Sequence, residues 1–125
     1  MSAQNSTFPS TGKKEMKYSQ NLEKLVGLKI LRFNYGRDGS DLAFENGAQL
    51  AIYNNVLIKT DMGNSTCSVE GATVSEVREA GSLIAIIFDN GLVWEVSLAE
   101  SAYLGPESMQ LRFPGEPIIV WRFGE

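Results

Sequence analysis

The chain has 125 residues, 43% of them apolar and 21% charged, with a net charge of −4 and no histidine. That size suits one domain able to bury about two-thirds of its unfolded surface without a staple, and the apolar share excludes a disordered chain. Without histidine, neither a Ser-His-Asp nor a Cys-His arrangement can be built, and the single Cys67 excludes an internal disulfide framework.

Charge is unevenly spread. Residues 1–26 carry four lysines against Glu15 and Glu23, whereas residues 27–125 carry seven basic and thirteen acidic groups. The acidic excess of the second part opposes phosphate backbones and anionic membranes, so neither nucleic acid nor membrane is expected as a partner. No apolar run is long enough for a transmembrane helix or the core of a signal peptide, and the expected address is cytoplasmic.

Residues 1–16 are polar, contain Pro9 and Gly12, and read as a flexible N-terminal arm ahead of a single β domain over 17–125. From Ser19 to Val26, the spacing of Leu22, Leu25 and Val26 predicts a short helix closed by Gly27. Two turns are marginal alone, so this helix must lean on a sheet. Leu28–Tyr35 is the first strand. Its apolar Ile30 and Phe33 stand at an odd spacing and cannot share a face of a regular strand. Either the strand is buried on both sides or a bulge separates them, as at the corner of a barrel or an orthogonal sandwich.

Phe44-Glu45-Asn46-Gly47 follows, and 44 residues later Phe88-Asp89-Asn90-Gly91 repeats it. An Asn-Gly step between alternating runs signals a hairpin tip. A two-residue loop would mix apolar with charged side chains on one face. A three-residue loop ending in a left-handed glycine with a G1 bulge instead pairs Phe88 with Leu92, Ile86 with Trp94 and Ile84 with Val96. The same loop in the first hairpin puts Leu42, Phe44, Ala48, Leu50 and Ile52 on one face and Ala43, Gln49, Ala51 and Tyr53 on the other.

Beyond the first hairpin, Asn54-Asn55 is a turn and Val56–Lys59 a fourth strand. Residues 60–70 are small, polar and long for a connection in a compact domain. Strands at 72–79, 82–88 and 92–98 then repeat the first unit at an offset of 44, with Gly27, Gly71 and Gly115 each opening a similar strand. Ala99–Leu104 is a helical turn stopped by Gly105-Pro106. A closing hairpin spans 108–123, its Pro114-Gly115 step suiting a type II turn. With Phe113 opposite Ile118, one side of that hairpin holds Met109, Leu111, Phe113, Ile118 and Val120. The other holds Gln110, Arg112, Ile119, Trp121 and Phe123.

The expected fold is therefore all-β and mainly antiparallel. It is a small barrel or two-sheet sandwich of about eight strands, built from two meander units (27–54 and 71–98) and the closing hairpin, with a short N-terminal helix. No spacing suggests a catalytic site, a metal site or a cofactor: Glu45 and Asp89 belong to turns, and Glu76, Glu79 and Glu95 read as solvent-facing strand positions. The expected function is non-enzymatic binding of another protein or of a second copy as a homodimer, with Arg112, Ile119, Trp121 and Phe123 as the interface. One alternative is a small-ligand β-barrel with Asp61, Asn64 and Cys67 at its mouth. A carboxylate-based enzyme is the other.

Overall fold

The computed structural model describes residues 19–37, 39–60 and 68–122. The expected N-terminal arm lies outside them. Nine strands run through the described residues: β1 (Ile30–Asn34), β2 (Ser40–Phe44), β3 (Gln49–Ile52), β4 (Val56–Thr60), β5 (Val74–Ala80), β6 (Leu83–Phe88), β7 (Leu92–Ser97), β8 (Glu107–Arg112) and β9 (Ile119–Arg122). They form two antiparallel sheets, ordered β1-β2-β3-β8-β9 and β4-β7-β6-β5.

Both hairpin tips adopt the three-residue bulged loop. Leu42 lies opposite Leu50, and Ile86 opposite Trp94. Gly47 and Gly91 have φ of +91° and +88°, a conformation that a Cβ disfavours. In each tip the asparagine side chain closes the loop: Asn46 Oδ1 accepts the Ala48 N–H at 2.9 Å, and Asn90 Oδ1 accepts the Leu92 N–H at 3.1 Å.

The odd spacing in the opening strands resolves as a bulge. Ile30 faces Phe44 and Arg32 faces Ala43, leaving Leu31 unpaired; Val74 faces Phe88 and Glu76 faces Ile87, leaving Ser75 unpaired. The extra residue lets Ile30 and Phe33, and likewise Val74 and Val77, all turn toward the core.

Positions 44 apart also make equivalent contacts where the two sheets meet. Gly27 N–H donates to Val74 O and Gly71 N–H to Ile30 O, both at 2.8 Å; Ile30 N–H reaches Ala72 O and Val74 N–H reaches Leu28 O. Lys29 and Thr73 form an antiparallel bridge at the centre. The Lys29 N–H also donates to the Glu45 carboxylate, as the Thr73 N–H does to Asp89. The two meanders thus meet along a local two-fold seam.

Each meander is then extended by a strand from the other part of the chain. After β3 the chain crosses over, and β4 pairs with β7, Val56 opposite Val96. After β7 it crosses back, and β8 pairs with β3, Met109 opposite Ile52. Asn54, 1% exposed, braces the first crossing by donating from Nδ2 to the Ser97 carbonyl at 2.7 Å.

The inward faces pack on one another around Trp94, which is fully buried. Phe33, Tyr35 and Phe88 surround its indole with centroids 6.1–6.4 Å away. Phe44, Leu50, Ile52, Ile84 and Ile86 complete the centre. Burying a large apolar side chain of this kind contributes roughly 1.5–3 kcal/mol, which selects the observed registers over those slipped by one residue.

Three expectations need correction. Residues 21–25 form a 3-10 turn rather than a helix of two turns. It is held to the sheet by Leu22 and Leu25, both fully buried. Glu79 does not face solvent: it is 3% exposed, and its carboxylate accepts the Ser19 N–H at 2.8 Å, as a buried charge requires a partner. Finally, the closing hairpin pairs Leu111 with Ile119 and Met109 with Trp121, one step from the expected register. The type II turn does form, with Gly115 at φ +77° and Glu116 N–H donating to Phe113 O. The observed pairing puts Trp121 inside with Met109 and Leu111 and leaves Ile118 46% exposed. Hiding the indole outweighs hiding the smaller isoleucine.

Candidate functional site

The register of the last hairpin disperses the interface expected there. Arg112 is exposed on the outer face of its sheet, Ile119 is half-buried against the core, and Trp121 is 8% exposed. Phe123, and the expected mouth residues Asp61, Asn64 and Cys67, lie outside the described residues. Among the described residues no three acidic, cysteine or histidine side chains gather as metal ligands would.

Two of the strand edges are blunted against further pairing. Among the described residues, β9 is paired only with β8, and β4 only with β7. Both carry features that discourage a further strand. β9 is four residues long, starts just after Pro117 and ends in Arg122. β4 carries Lys59, and its Val56 carbonyl accepts the Tyr35 hydroxyl at 3.0 Å.

The two outer faces remain, and they differ sharply at matched positions. On the sheet of β1, β2 and β3, one row across the strands reads Arg32, Ala43, Gln49, Arg112, and the next reads Asn34, Asp41, Ala51, Gln110. Over its small central alanines lies an open groove of about 610 Å3 walled by Arg32, Asn34, Asp41, Gln49 and Glu70.

On the other sheet the corresponding rows read Lys59, Val93, Ile87, Glu76 and Leu57, Glu95, Ala85, Arg78, followed by Ser97, Leu83 and Ala80. Ile87 and Val93 stand where the first sheet has Ala43 and Gln49. Leu57 is 56% exposed and Leu83 is 39% exposed. An apolar strip thus runs across the middle of this face.

Glu95 interrupts the strip on β7, between Leu57 and Ala85, and the other charges stand on the edge strands. Lys59 Nζ meets Glu95 Oε1 at 3.2 Å, and Arg78 Nε meets Glu76 Oε2 at 2.6 Å. The hydrogen bond from the Arg78 guanidinium to the Glu76 carboxylate, together with that carboxylate's charge, raises Arg78 further above its ordinary range, against a small opposing effect of burial. Sequence reasoning passed over this face. The available signal was the broken alternation of Leu83-Ile84-Ala85-Ile86-Ile87-Phe88, where both sides of a strand are apolar.

Comparison with protein-family models, with curated proteins and with solved structures returns no match for this chain.

Proposed function

We propose that this chain is a non-catalytic protein-binding domain, and that it docks partners on the outer face of the β4-β7-β6-β5 sheet. One observation carries the reading. At positions 44 residues apart the two sheets share their inward faces, yet outside the second carries half-buried Ile87 and Val93 where the first has Ala43 and Gln49, with exposed Leu57 and Leu83 on the same face. Apolar side chains grouped among charged ones on an outer sheet face mark a protein interaction site, and burying them in a complex removes their contact with water.

A site-specific photocrosslinker tests this. Placed at Ile87, it is expected to give discrete crosslinked protein species in a lysate of the chain's own cells. At the matched position Ala43, on the polar face, it is expected to give few or none. Equal crosslinking from the two positions, or none from Ile87, overturns the assignment.

A further inference from the structure

We draw no further inference here: the strongest candidate, the open groove over Ala43 and Ala51 on the outer face of the β1-β2-β3 sheet, is walled by polar side chains that are all exposed, and no buried polar group left without a partner among the described residues lines it to point to a ligand.

Discussion

The residues that decide this fold most sharply are those with no choice of conformation. Gly47 holds φ at +91°, and a Cβ built there would stand 2.9 Å from the Pro114 ring. It therefore has to be glycine twice over, once for the bulged turn and once for the contact between the first hairpin tip and the last. A Cβ built at Gly81, where φ is +63°, meets nothing within 4 Å among the described residues, so alanine there bears only the backbone cost, about 1–2 kcal/mol. Gly47→Ala is expected to lower the urea midpoint clearly more than Gly81→Ala at unchanged m-value. Equal midpoints would show that the tip does not press on Pro114.

Elements show where local pattern ends and packing begins. The first two hairpins have tips that admit one register, because the turn and the apolar alternation agree. In the closing hairpin the Pro114-Gly115 turn fits either register, and the returning strand carries apolar residues on both sides, Ile118 and Val120 on one and Ile119 and Trp121 on the other. The tertiary core then decides by taking Trp121 and leaving Ile118 out. Thermodynamically, Trp121→Ala is expected to cost about 3–5 kcal/mol and Ile118→Ala less than about 1 kcal/mol, read from denaturant unfolding. A reversal of that order would restore the register with Phe113 opposite Ile118. Glu79 belongs to the same class: its strand reads as alternating, but its inward position at the end of β5 depends on the N-terminal turn folding back over it.

At the scale of the molecule, the exchange of β4 and β8 makes the two halves interdependent. Neither meander has its fourth strand from its own part of the chain, and the seam at Lys29 and Thr73 joins them directly. Unfolding is expected to be one transition. The chain has two tryptophans, Trp94 in one sheet and Trp121 in the other, so W121F and W94F each leave a reporter in a different sheet. Within each variant, the fluorescence and circular dichroism curves are expected to coincide. A separated transition would mean that one sheet survives loss of the other. The same exchange leaves the two outer faces as broad, continuous surfaces, and this is how an apolar strip spanning β4, β7 and β6 comes to exist.

The sequence by itself determined the all-β class, the two bulged tips, the break in alternation of the opening strands and the faces of the first two hairpins. All of these follow from contacts within about a dozen residues, where backbone sterics and side-chain alternation act together. Only the tertiary structure decided that the opening strands bulge, which sheet β4 and β8 join, which way Trp121 and Glu79 turn, and which outer face carries Leu57, Leu83, Ile87 and Val93 side by side. Those outcomes depend on how much surface each alternative hides across distant parts of the chain, a comparison that no local pattern contains.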